Sequence, residues 1–243
     1  MPYRRLPNTD MARIRAITEA IKQSNHFAPL QLAISPALLL KLRAFLPLFK
    51  QTVDHQRETF RRQIQNSKAY LGSQRKAKLY ISHFIQVMNM AIIRGELKPE
   101  IRKFYGLDEN TKTVPLLNSE NDIIEWGEKI IKGEANRLAT GASPITNPTI
   151  ALVKVKYEDY LRTYQNHKTL QDIAARANQK VAEMRVEADA LILELWNQIE
   201  KHFSNLPPEE MREKASSYGV VYVYRKEEKE KLKAKSNDNQ LFN

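Results

Sequence analysis

The sequence predicts an all-α protein, and three observations carry that expectation. Only seven of its 243 residues are Gly, while Leu, Ala, Ile, Lys, Glu, Gln and Arg are abundant, so helix propensity and the scarcity of breakers agree. From Thr149 to Leu206 neither Gly nor Pro occurs. Within that stretch Tyr160, Thr163, His167, Leu170, Ala174, Ala177, Val181, Met184, Ala188, Leu191 and Leu195 recur at alternating spacings of three and four, the period of an apolar helix seam.

The first element follows from the cluster Asn8-Thr9-Asp10. These residues supply an N-cap, and Ile14, Ile17 and Ile21 then mark one face of a short helix ending near Ser24. Ser35-Pro36 places a cap residue before a proline suited to a first turn, so a long helix is expected to open there. Its apolar or small positions continue through Val53, Phe60, Ile64, Ser67, Leu71, Ile81, Ile85, Met88 and Ile92, close to a seven-residue repeat. Pro47 is expected to kink its early turns, and Leu71-Gly72-Ser73 offers an alternative in which the segment folds into a helical hairpin. Gly95 reads as its C-terminal stop, followed by a Pro-initiated turn of helix from Pro99 to Tyr105.

The same order of events then recurs. Asn118-Ser119-Glu120 precedes a second short helix, 110 residues after the first cap. Asn147-Pro148 is expected to open a second long helix, 112 residues after Ser35-Pro36. Leu206-Pro207-Pro208-Glu209 with Tyr218-Gly219 parallels Leu97-Lys98-Pro99-Glu100 with Tyr105-Gly106. The expected architecture is therefore two tandem pseudo-repeats, each a short helix plus a long amphipathic helix, packed as a bundle or in coiled-coil fashion. The corresponding units are residues 1–110 and 111–225. Val220 to Tyr224, β-branched and aromatic, reads as a short C-terminal strand that needs a partner from Lys112 to Leu116 or from the Tyr3 to Leu6 arm. Residues 226–243 form a charged, Asn-rich tail with nothing to bury and are expected to be disordered.

Several function classes find no support. Without cysteine there are no disulfides, thiolate metal sites or cysteine nucleophiles. Leu30 to Phe49 has the length of a membrane span but carries Pro36, Lys41, Arg43 and Pro47, so it reads as a buried helix start, and no transmembrane segment is expected. The opening MPYRRLPNTD has no apolar stretch behind its arginines, which predicts a cytoplasmic protein. No Gly-rich phosphate loop, G-x-S-x-G elbow or H-E-x-x-H occurs, and no cofactor is expected. The histidines are His26, His55, His83, His167 and His202; none falls in a Glu-x-x-His pair, and His55 with Glu58 is the nearest approach to a metal motif. The aromatics Phe104, Tyr105, Trp126, Tyr218, Tyr222 and Tyr224 read as packing residues rather than a ligand site.

Charge is the one asymmetric property. Residues 1–105 hold 19 Lys and Arg against 6 acidic residues, a net +13, and the remainder hold 20 against 22, a net −2. The excess concentrates in the first long helix, where between positions 57 and 78 Arg57, Arg61, Arg62, Lys68, Arg75, Lys76 and Lys78 face only Glu58. Arg61, Lys68 and Arg75 are spaced by seven and share one stripe of a continuous helix. Such a stripe suits phosphates of a nucleic acid or an anionic membrane, with Gln63, Gln65, Asn66, Ser67 and Tyr70 as polar neighbours. The competing structural role is a solvated face, or one paired with Asp172, Glu183, Glu187 and Asp189 of the second long helix. The residues thus point to a non-enzymatic helical interaction or scaffold protein with a protein partner or a second copy of itself. Nucleic-acid or anion binding through the basic stripe is the alternative.

Overall fold

The computed structural model of the chain describes residues 2–28 and 31–225. Among them are six helices and one two-stranded sheet, so the class is all-α. Helix α1 spans Asp10–Ser24, with the Thr9 hydroxyl accepting from the Ala12 N–H at 3.2 Å and Asp10 placed favourably at the dipole's positive end. Helix α2 spans Pro36–Ile93 and is entered through Ser35, whose hydroxyl accepts from the Leu38 N–H. It runs unbroken through Pro47 and Gly72, so the hairpin alternative at Leu71-Gly72-Ser73 is not realised. It ends at Gly95, whose φ of +75° is open to glycine at little cost, and a 3₁₀ helix follows over Pro99–Tyr105.

Helix α3 spans Glu120–Ala139 behind a full capping box: Asp122 N–H donates to the Ser119 hydroxyl, and Ser119 N–H donates back to the Asp122 carboxylate. Helix α4 spans Ile150–His202 without interruption. It does not open on Asn147-Pro148 as the sequence suggests. Asn147, left-handed at φ 56°, lies with Pro148 in the preceding turn, and the Thr149 hydroxyl caps the helix by accepting from Leu152 N–H. Helix α5 spans Pro208–Ser217. Strands β1 (Tyr3–Arg4) and β2 (Tyr222–Val223) pair antiparallel, which makes the amino-terminal arm the partner of the predicted strand. The expected tail, residues 226–243, lies outside the described residues.

The described residues form two compact units, those up to 58 with those from 175 to 225, and residues 59–174. Each draws on both long helices, so the units cut across the consecutive segments 1–110 and 111–225 of the sequence reading. In the first, Ile17, Ile34, Leu38, Leu42 and Phe49 pack with Ile192, Leu195, Trp196 and Ile199 of α4. In the second, Ile81, Phe84, Ile85 and Met88 of α2 pack with Tyr105, Ile123, Ile130, Val153 and Tyr160. Each fully buried large apolar side chain is worth about 1.5–3 kcal/mol of transfer free energy. Among the described residues no helix is long and apolar enough to cross a membrane.

The α4 seam follows its sequence pattern closely. Of its eleven predicted positions none is exposed: Thr163, Leu170 and Leu191 are half-buried and the rest are buried. The middle of α2 departs from expectation. Val53, Ile81, Ile85 and Met88 are buried as predicted, but Phe60, Ile64 and Leu71 are 51%, 51% and 43% exposed. Ser67, another predicted position, is half-buried, and the inward register there runs through Thr59, Gln63, Asn66, Tyr70, Ser73 and Ala77, each buried or half-buried. This register continues back from Ala77 by steps of four and three, whereas the apolar pattern alone selects the adjacent face.

Candidate interaction face

The seam chosen by the second unit is polar because its two sides complement each other. Asn166 Nδ2 of α4 donates to Asn66 Oδ1 at 2.8 Å, and the Ser73 and Thr163 hydroxyls share a hydrogen bond of 2.5 Å. The Tyr70 ring lies on the His167 ring, and the Tyr70 hydroxyl donates to Glu120, which also pairs with Lys168 at 3.0 Å. Burial, reinforced by the Glu120 carboxylate, drives the Tyr70 phenol well above its usual range. Specific polar pairs of this kind discriminate against slipped registers more sharply than interchangeable aliphatics do.

With Tyr70 and Ala77 in the seam, the opposite side of α2 is determined. At about 100° per residue, Phe60, Arg61, Ile64, Lys68, Leu71, Arg75, Lys78 and Leu79 fall within an arc of roughly 100°, centred about 150° from the seam. Of these only Lys78 is half-buried; the others are exposed, Leu79 by 60%. From 59 to 93 the helix contains six Lys and Arg and no Asp or Glu. Lys68, Arg75 and Lys76 make no ion pair with another described residue. Lys78 lies close enough to Asp122 to help hold that carboxyl below its usual value, after the larger effect of the Ser119 N–H.

The seven cations singled out by sequence do not share one face of α2. Arg57 belongs to the first unit, where it lies 3.9 Å from Asp54. The other six lie on α2 in the second unit. Arg61, Lys68 and Arg75 share the exposed arc, Lys78 stands at its edge, and Arg62 and Lys76 lie outside it. Gln63, Asn66 and Tyr70, expected beside them as polar contacts, line the seam instead. Two of the four acids proposed to neutralise the stripe have other partners. Asp189 takes a two-pronged bond from Arg13 at 2.7 and 2.8 Å, and Glu183 lies by Lys180 and Gln179. What sequence reading missed is the apolar half of this face; continuity of phase from Ala77 backwards was the signal that marked it.

The buried charges elsewhere serve packing. Glu134 and Arg137 are almost wholly buried and joined by two 2.8 Å bonds; Tyr105 donates to the same carboxylate, as does Ile145 N–H at 3.1 Å. Burial pushes Glu134 up, but Arg137, Tyr105 and the Ile145 amide together outweigh it and hold the carboxyl below its usual value. Arg102 is held by Asn89 and by the carbonyls of Asp108 and Thr113. Both networks tie loops to helices. Among the described residues no group of three His, Asp or Glu is placed to hold a metal ion, and His55 is exposed. No protein-family model, no curated protein and no solved structure matches this chain.

Proposed function

We propose that this is a non-enzymatic helical interaction protein of the cytoplasm that carries a recognition face on α2. One observation carries the reading: an exposed arc of the helix, opposite its packed seam, combines Arg61, Lys68, Arg75 and Lys78 along a stretch with no acidic residue. A face of one charge sign focuses potential toward a partner of the opposite sign and raises encounter rates. The partner is therefore an anionic surface. The nucleic-acid alternative draws on the same cations, but with Gln63, Asn66 and Tyr70 in the seam it keeps only Gln65 and Ser67 of the five polar neighbours.

The test is retention of the full chain on immobilised heparin. Replacing Arg61, Lys68 and Arg75 together by Glu is expected to move elution to markedly lower salt with helical ellipticity unchanged. Elution of the triple variant at the parent's salt concentration would reject the basic face as the recognition element.

A further inference from the structure

We infer that the α2 face from Phe60 to Leu79 docks on the surface of an anionic lipid bilayer; this names the partner class for the interaction face proposed above and rests on that reading. The argument begins with the four bulky apolar side chains that the seam leaves outside. Phe60, Ile64, Leu71 and Leu79 are 51%, 51%, 43% and 60% exposed, and they recur within the same arc of roughly 100° as the cations. Scattered exposed apolar residues are ordinary on a protein surface. Four of them in one arc, interleaved with Arg61, Lys68, Arg75 and Lys78, form an amphipathic surface.

That composition discriminates between anionic partners. Against a nucleic-acid duplex the cations would contact phosphates, while Ile64, Leu71 and Leu79 would gain nothing from the polar backbone. At a bilayer interface the same residues enter the headgroup and acyl boundary, and lysine and arginine stems lie alongside them with their charged ends at lipid phosphates. Each cation near an anionic leaflet adds to the attraction, and the stretch supplies no carboxylate to oppose it. Of the nearest acids, Glu58 at the start of the stretch has a partner, as do Arg61 and Arg62, which leaves Lys68 and Arg75 as the main cations of the face; Asp122 is held in the α3 capping box, and Glu120 by Tyr70 and Lys168. Because no helix among the described residues can span a bilayer, the contact is peripheral, with the helix lying along the surface.

The experiment is co-sedimentation of the full chain with vesicles of mixed phosphatidylcholine and phosphatidylglycerol, beside phosphatidylcholine alone and a labelled DNA duplex. Two variants separate the components: Lys68→Glu with Arg75→Glu, and Ile64→Gln with Leu71→Gln. All four positions are exposed, so neither pair removes core packing. Partitioning to the anionic vesicles is expected to fall about tenfold or more for each pair, with weak binding to phosphatidylcholine alone. Leu79→Gln, a milder change, is expected to lower it in the same direction.

Vesicle binding by the Ile64→Gln, Leu71→Gln pair equal to the parent's would overturn the inference, as would duplex binding by the parent without vesicle binding. Either result, combined with the heparin shift of the triple variant, would leave the basic interaction face standing and remove only the lipid. Absence of the heparin shift removes both.

Discussion

The rings of Tyr70 and His167 lie face to face, with centroids 4.4 Å apart and planes 3° from parallel. This pair fixes which side of α2 meets α4 within the second unit. With Tyr70 inside, its neighbour Leu71 is turned outward, and the rest of the mid-helix follows at steps of three and four. The stack therefore decides both what the core contains and what the exposed face presents.

Changing Tyr70 to Ala is expected to destabilise the protein by about 3 kcal/mol, the usual cost of removing a buried aromatic. Leu71→Gln is expected to stay within about 0.5 kcal/mol of the parent. A double-mutant cycle on Tyr70 and His167 should return a coupling of about 0.5–1.5 kcal/mol. Urea denaturation followed by circular dichroism measures all three; equal costs for Tyr70→Ala and Leu71→Ala would contradict the register.

Two glycines in helices are expected to respond in opposite directions. A Cβ at Gly133 of α3 would lie 2.6 Å from the Phe104 carbonyl oxygen and 2.6 Å from the Tyr105 ring, so Gly133→Ala must push the 3₁₀ helix away and is expected to cost about 1–3 kcal/mol. At Gly72 of α2 an added Cβ meets nothing within 4 Å, and Gly72→Ala is expected to stabilise by about 0.5–1 kcal/mol through helix propensity. Thermal melts of the two variants provide the comparison.

Arg137→Met removes the counter-charge of Glu134, a carboxylate that is 0% exposed, and is expected to cost about 3–5 kcal/mol. Adding Glu134→Gln to that variant is expected to restore part of the loss, because a neutral amide is far less costly to bury than an unpaired carboxylate. A double variant less stable than Arg137→Met alone would rule out this account.

Alkaline pH is expected to unfold the protein through its tyrosines. Burial is the leading cause of elevated phenol values at Tyr70, Tyr105, Tyr160 and Tyr222, and Tyr160 is pushed up to about 12. A raised folded value means that the folded state holds its proton more tightly. The stability associated with it is full below the ordinary tyrosine value of about 10 and is lost as pH rises from there through the folded values. Tyrosinate absorbance should therefore show an early exposed fraction and a later one that appears together with loss of helical ellipticity.

Acid acts through other groups. Asp10 is held below its ordinary value first by the Arg185 hydrogen bonds, at 2.7 and 2.8 Å, so its contribution is present above about pH 4 and declines as pH falls through the lowered value. Asp10→Asn is expected to lower stability at neutral pH by about 1 kcal/mol and to flatten the acid limb of the stability curve. An unchanged acid limb would place the linkage on other carboxylates.

By itself the sequence determined what local chemistry determines. Thr9, Ser35 and Ser119 sit next to the helices they cap because a side-chain oxygen beside an orphan N–H needs no distant partner. The α4 seam was equally legible, since Val181, Met184, Ala188 and Leu195 are apolar or small where they pack and no breaker interrupts them. The charge imbalance of α2 was also plain. Only the tertiary structure decided that Asn147 and Pro148 belong to a turn, that the β2 partner is the Tyr3–Arg4 arm, and that Asp189 serves Arg13. It also decided which side of mid-α2 faces inward. Apolar periodicity favoured Phe60, Ile64 and Leu71, but a polar seam gains its stability from specific partners across the interface. Asn166, Thr163 and His167, about 90 to 100 residues away in sequence, selected Asn66, Ser73 and Tyr70 and left the apolar side chains exposed among the lysines and arginines.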